Sequence, residues 1–319
     1  MAIKLALAGD TMLGRGVAER LESSSPESLF APEVVEATRE ADLFVLNLEC
    51  CISDRGTRWA DPRKPFFFRA PPKAVETLVH LGVDCVTLAN NHALDFGTEA
   101  LLDTFRYLTD AGIACAGAGP DVVRARTPVI VTANGFRLGI IGIADHPDDF
   151  AATLDRPGIA FADLRNDDPE WLARLIRGMD ADSVLVTPHW GPNMTPEPVP
   201  HVRRAARAIL EAGASMIAGH SAHVFHGVDG SILYDLGDFL DDYAIDSTLR
   251  NDLGLLFFVT IDERGPVRLE AIPLKLDFCH TKRAQDEDAA WVRKRFVEAC
   301  ASFGSEVTEE DGRLVIALR

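Results

Sequence analysis

"DCVTLANNHALDFG", residues 84–97, decides how the chain folds. Its first half is short and apolar, the composition of a buried strand. It then breaks into two amides and a histidine, Asn90, Asn91 and His92, before a helical pattern, "TEALLDTFRYLTDAG" (98–112), begins. A strand ending in polar residues just before a helix is the repeating unit of α/β layering with largely parallel strands. Amides at such a turn also serve simply to tie it together. The stretch therefore gains meaning only if others resemble it.

Others do. "IKLALAG" (3–9), "DLFVLNLE" (42–49), "DSVLVTPHW" (182–190) and "SMIAGH" (215–220) read as buried strands whose ends carry Asp10, Glu49, His189 and His220. Between them, residues 32–41, 71–82, 169–179 and 202–213 place apolar side chains at three- and four-residue steps, several opening on Pro and closing on Gly. A different texture follows. "TPVIVTANGFRLGIIGIAD" is two strands around Asn134-Gly135, a type I′ hairpin signal. "LGLLFFVTIDERGPVRLEAIPLKLD" is a second hairpin turning at Glu263 to Pro266. A helix at about 284–302 and a strand pair near "SEVTEEDGRLVIAL" close the chain. The pattern predicts an α/β fold of two mixed β-sheets packed face to face with helices outside. No linker-like stretch or repeat divides residues 1–319, so one domain is expected.

Bulk properties exclude several partners. The net charge is −17, from 32 Lys and Arg against 49 Asp and Glu. No basic run is present to release counterions from a polyanion, so nucleic acid is disfavoured. The same charge opposes any acidic polymer unless bound cations invert the local field. The six cysteines include no C-x-x-C pair and suit reduced thiols. The N-terminal apolar run is too short for a signal peptide, and no run approaches membrane-spanning length. A cytoplasmic protein is expected.

In α/β sheets, ligands bind beyond the carboxyl ends of strands, and here five such ends carry groups that ligate metals. Each has a plainer alternative. Asp10 reads equally as a helix N-cap, Glu49 as a carboxylate exposed at a loop start, and His189 as a core histidine against Trp190. "AGHSAHVFHG" (218–227) adds His220 and His223, three apart beyond a strand, with His226 further on and less suited. His80, His146, His201 and His280 lack such placement and read as structural or surface residues. Carboxylate, imidazole and amide oxygen together suit Mn, Fe, Zn or a similar ion, and not Ca or a Cys-based structural zinc.

Seven stretches in order, "LALAGDTMLGRG", "DLFVLNLE", "FFFRAPP", "DCVTLANNHALDFG", "PHWG", "GHSAHVFHGV" and "ILYDLGDFLDDY", resemble CapA-type proteins. These are associated with poly-γ-glutamate capsule synthesis and belong to the calcineurin-like metallophosphoesterase superfamily. The resemblance spans about residues 3–260. It implies a four-layer αββα sandwich and a divalent metal site of one or two ions (Mn, Fe, Zn or Mg). The implied ligands are Asp10, Glu49 as the bridge, Asn91, His189, His220 and His223, with His92 as proton donor beside Asn91. Three departures stand out. Met12 occupies the place of a usual histidine, the bridge is Glu instead of Asp, and Ser221-Ala222 replace part of a His-Pro-His triplet. Asp145 or His146 is a candidate to fill the gap at Met12. The implied chemistry is metal-dependent hydrolysis of a phosphoester or γ-glutamyl-type amide, with a non-catalytic accessory role in capsule synthesis as the alternative. Arg15, Arg69, Asn193 and Arg250 are candidates for holding an anionic small molecule or γ-glutamyl polymer, and Trp190 for lining the pocket. Capsule-synthesis proteins are the partners implied. Residues 237–252 are acidic and polar and are expected to form a loop at the pocket rim.

Overall fold

The computed structural model describes residues 2–167 and 169–318. Its larger sheet runs Thr308–Glu310, Arg313–Ala317, Gly265–Asp277, Leu253–Asp262, Ala2–Thr11, Leu43–Leu48, Cys85–Thr87 and Ala114–Ala116. Ala2–Thr11 pairs parallel with Leu43–Leu48 and antiparallel with Leu253–Asp262, so the sheet is mixed. The smaller sheet runs Val228–Asp229, Ile232–Leu233, Met216–Ala218, Ser183–His189, Phe136–Ala144 and Val129–Ala133.

Alternation along the strands sorts side chains between layers. Ile3, Leu5 and Leu7 point into the space between the sheets and pack in one buried cluster with Leu138, Ile140, Leu185 and Met216. Ala6, Ala8, Phe44 and Leu46 face the other way, onto Val17, Val34 and Leu78 of three helices. On the far side Ile141, Ile143, Val184 and Val186 pack against Leu172, Ile176, Val202 and Ile209. Helices cover both outer faces. The result is the expected αββα sandwich.

Both hairpins form. Ala133 pairs with Phe136 across Asn134 (φ 51°) and Gly135 (φ 79°), the left-handed pair a type I′ turn requires. The second hairpin closes between Asp262 and Gly265. One alternative reading falls away and one expectation is corrected. The helix after Asp10 starts only at Arg15 with Gly14 as its cap, while Asp10 lies within the first strand, so Asp10 caps nothing. The stretch expected to be a rim loop begins as a strand, Asp238–Leu240, which pairs parallel with Ala2–Thr11. Gly237, at φ 73°, turns the chain into that pairing, and the composition alone hid it because these acidic residues are buried.

Gly9 makes this junction possible. A Cβ on Gly9 would lie 1.8 Å from the Gly237 carbonyl oxygen, a backbone atom that Asp10 N–H bonds at 2.9 Å. Gly9→Ala is therefore expected to cost about 1–3 kcal/mol or more through overpacking. Denaturant melts measure this, and an unchanged midpoint would contradict the close approach.

Candidate metal centre

Adjacent strand ends bring the acids together. Asp10 lies one residue before the end of the first strand, Glu49 follows the neighbouring Leu43–Leu48, and Asp238 stands opposite Asp10 in parallel register. His223 arrives from the loop after Met216–Ala218, where Ser221 (φ 109°) and His223 (φ 59°) both hold left-handed backbone. Non-glycine residues hold such conformations only where their surroundings over-determine them. Ser221 N–H to Asp10 Oδ2 at 3.3 Å and Ala222 N–H to Asp235 Oδ2 at 2.8 Å do so here. Asp10, Glu49, His223 and Asp238 each offer an atom within 4.8 Å of all the others, and all four are buried.

The surroundings lock these groups. Asn47 donates to Asp10 Oδ1 at 2.7 Å, and its own Oδ1 accepts from Thr87 and Asn90 at 3.1 and 3.0 Å. Asn90 is thereby occupied, since it also bonds Leu48 O and receives His92 N–H. Its neighbour differs: Asn91 Oδ1 is buried without a hydrogen-bond partner. Tyr243 donates its hydroxyl to Glu49 Oε2 at 3.1 Å. His223 Nδ1 lies 2.8 Å from Asp238 Oδ1 and 3.5 Å from Asp10 Oδ2, while His220 Nδ1 lies 3.2 Å from Asp10 Oδ1.

Buried polar atoms in native proteins are ordinarily paired. Here Glu49 Oε1, Asn91 Oδ1, Asp238 Oδ2 and both ring nitrogens of His189 have no hydrogen-bond partner, and His220 Nδ1 meets Asp10 outside hydrogen-bond geometry. Electrostatics point the same way. Burial pushes the Glu49 pKa well up, and the charge on Asp10 adds to it. Burial likewise raises Asp238, reinforced by Asp241, which is itself pushed up by burial to about 6. Burial opposes ionisation of Asp10 too, but His220, then His189 and His223, outweigh it and hold the pKa well below the usual range. Burial lowers His223 less than Glu49 and Asp10 raise it. The pocket thus gathers acidic groups that resist ionising without a cation, together with unpaired oxygen and nitrogen atoms. Such a set could hold a metal ion.

A second motif sits above the acids. His92 Nδ1 lies 2.6 Å from Asp95 Oδ2, which also accepts Phe68 N–H at 2.6 Å. Lys64 pairs with Asp95 Oδ1 at 2.9 Å and donates to Asn91 O at 2.7 Å. An ionised carboxylate only accepts, so Nδ1 carries the proton and Nε2 is left for a ligand. The Phe68 ring stacks on the imidazole at 3.9 Å. Burial drives the His92 pKa down to about 4 against the opposing pull of Asp95. A depressed histidine contributes stability that is present above its unfolded pKa, about 6.5, and is lost as pH falls toward 4. In metal-free protein, His92→Gln should therefore flatten the stability–pH slope between 6.5 and 4 by up to about 1.4 kcal/mol per pH unit. Urea melts across that range test it; parallel curves for the two proteins would contradict a neutral buried His92.

A cavity of about 300 Å³ opens over both motifs, with His92, His223, Tyr243, Arg15, Asn193 and Asn251 on its wall. Arg15 and Asn193 thus stand where the sequence suggested. Three other candidates do not. Arg69 lies in a neighbouring groove, its guanidinium 4.2 Å from the Phe96 ring centre. Trp190 is buried and donates to Tyr234 O at 2.9 Å in the outer core. Arg250 is held by Asp252 and Asp288. Each already has partners that turn it from the cavity. His226 bonds Thr195 O at 2.8 Å, outside the cluster. His146 and His201 both converge on buried Asp145. Asp238, Tyr243 and Asp95 were missed. Asp238 did carry a signal, since Gly237-Asp238 repeats the Gly9-Asp10 pattern.

The family model for the bacterial capsule synthesis protein PGA_cap matches residues 4–243. The chain belongs to this family. Among the family's relatives, a probable polyglutamine synthesis accessory protein of Mycobacterium tuberculosis is 30% identical, the match covering 98% of this chain and 95% of that protein. The capsule biosynthesis protein CapA of Bacillus anthracis is 27% identical over 86% of this chain and 67% of its own length. The PGA biosynthesis protein CapA of Bacillus subtilis is 29% identical over 84% and 70% respectively. A hypothetical protein from Thermus thermophilus, known by crystal structure, shares the fold at a TM-score of 0.51 and 16% identity, covering 85% of this chain and 99% of that one. The PGA_cap match includes Asp10, Glu49, Asn91, His92, His189, His220, His223 and Asp238, and ends at Tyr243 on the cavity wall. No helix among the described residues is long and apolar enough to cross a membrane.

Proposed function

We propose that this PGA_cap protein is a metal-dependent hydrolase acting in poly-γ-glutamate metabolism, on a phosphoester or a γ-glutamyl-type amide. The observation that carries the reading is the stack of cavity, His92–Asp95 pair and four-residue acid–imidazole cluster in one place. Asp10, Glu49, His223 and Asp238 would hold the ion, with Asn91 and His220 at its margin. A divalent cation bound there supplies a nucleophile at neutral pH and offsets developing negative charge. The chain's own residues do the rest. Asp95 fixes the His92 tautomer, leaving Nε2 to exchange a proton with the reacting group. Arg15 and Asn193 offer donors to an anionic substrate, and a forked guanidinium suits carboxylate or phosphate alike. Phe66, Phe68 and Tyr243 wall the space with aromatic surface. Six unbridged cysteines support a cytoplasmic location.

One observation favours a second reading, a non-catalytic accessory protein that binds polymer or capsule-synthesis partners. Met12 is fully buried and its sulfur accepts Gly14 N–H at 3.0 Å, so that side chain is committed to packing. A screen of phosphodiester and γ-glutamyl substrates, with Mn, Fe, Zn or Mg added, separates the two. Metal-dependent turnover is expected; tight binding of poly-γ-glutamate with no turnover on any substrate would replace the hydrolase by the accessory role.

A further inference from the structure

The run "FFFRAPP", residues 66–72, meets the cavity with only some of its side chains. Phe66 and Phe68 line the cavity, whereas Phe67 and Arg69 line a groove beside it, as alternation along an extended chain dictates. Arg15 stands on both walls and joins the two spaces. The groove measures about 490 Å³ and adds Arg58, Phe96 and Phe278. Each guanidinium rests on an aromatic ring. Arg58 lies 5.3 Å from the Phe67 ring centre, Arg69 4.2 Å from that of Phe96, and Arg15 5.4 Å from that of Phe66. A guanidinium held against a ring keeps its N–H edge for a carboxylate fork. Arg15 already has an acid, since Asp242 lies 3.2 Å away and is itself fixed by Gly16 N–H at 2.9 Å. Arg58 and Arg69 differ. Among the described residues no carboxylate lies within ion-pairing distance of either, exposed Glu19 on the same wall included. Arg69 gives one N–H to Arg55 O at 3.1 Å. In a chain of net charge −17, two guanidiniums without counter-ions on one wall mark a place for an anion from outside.

We propose that this groove holds the continuation of a linear polycarboxylate whose reacting part lies in the cavity, with Arg58 and Arg69 each gripping one carboxylate. A γ-linked glutamyl chain has the required chemistry. It brings one carboxylate per repeat to the guanidiniums and lays methylenes against Phe278, which is 70% exposed. A nucleic-acid strand fits less well, because the Phe67 and Phe96 faces on which bases would stack already carry arginines. The assignment rests on reading the cavity as the reaction site, and it selects a polymer over a small phosphoester as the substrate class.

Length dependence of binding is the test. Protein supplied with Mn²⁺ is titrated by calorimetry with a γ-linked glutamate dimer and with a decamer. Wild type should bind the decamer at least about 10-fold more tightly, because further charge-assisted pairs form in the groove. In the double variant Arg58→Gln, Arg69→Gln that preference should fall to near parity. A second measurement needs no variant: wild-type affinity for the decamer should fall more steeply with salt than affinity for the dimer. Equal affinities for dimer and decamer in wild type would overturn the groove, as would a double variant that keeps the full preference. An oligodeoxynucleotide decamer that binds more tightly than the glutamate decamer, and weakens in the double variant, would give the groove to a different polyanion. Metal-dependent turnover of a short substrate beside any of these failures would leave the cavity reading standing. Absence of turnover on every substrate would remove that reading itself.

Discussion

His92→Ala is expected to lower kcat by about 10²- to 10⁴-fold, the range over which a positioned general acid or base contributes. The ring lies on the cavity wall with its Nδ1 tied to Asp95, so its other nitrogen is the titratable atom offered to a ligand. Metal content should not change, because His92 lies outside the four-residue cluster. Asp95→Asn should give a smaller loss of the same kind. An amide can present its NH₂ to Nδ1 and favour the wrong tautomer, as removal of an orienting carboxylate does elsewhere. Steady-state kinetics beside metal analysis make the distinction. Full activity in His92→Ala would end the proton-transfer role, and lost activity accompanied by lost metal would mean the residue supports the centre instead.

Removing the ion should destabilise the protein, and Glu49→Gln should abolish most of that effect. An ion present at about a thousandfold over its Kd stabilises the folded state by about 4 kcal/mol. The acids at the centre explain why the response is large. Glu49, Asp235 and Asp238 all have pKa values pushed well up, first by burial and then by neighbouring carboxylates, so ionising them without a cation is costly. Their sign follows from linkage. A carboxyl whose folded pKa is raised contributes stability that is present at low pH and lost as pH rises through that value. Near pH 7 the metal-free wild type has lost part of this contribution, whereas glutamine at position 49 has no proton to lose. Metal-free Glu49→Gln should therefore be at least as stable as metal-free wild type, yet gain little on adding Mn²⁺ or Zn²⁺. Thermal melts with and without chelator decide it. A melting temperature indifferent to chelator in wild type would show that no ion stabilises the fold.

Local chemistry made much of the architecture legible in advance. Strand and helix periods, the Asn134-Gly135 turn and the polar strand ends were all readable, because each depends on neighbours within a few residues. Asp10, Glu49 and His223 were legible for the same reason: sheet geometry sends the ends of adjacent parallel strands to one place. Asp238 was not. Its run "GDFLDDY" looks like a solvated acidic loop, and only pairing with Ala2–Thr11 buries it opposite Asp10. Two of the three candidate arginines lie elsewhere for a related reason. A guanidinium reaches far enough that its partner is set by the fold, and Arg69 and Arg250 found Phe96, Asp252 and Asp288 instead of the cavity.

The amino-acid order alone determined the layered α/β scaffold, the family to which the motifs point and the strand ends where chemistry collects. These follow from hydrophobic period and turn chemistry, which act over short separations. Tertiary structure decided which of the polar tips converge, which histidine faces which carboxylate, and that His146 and His201 converge on Asp145. Those outcomes depend on register between strands far apart in the chain, such as those carrying Asp10 and Asp238. A shift of one residue there would turn a ligand to the opposite face of the sheet.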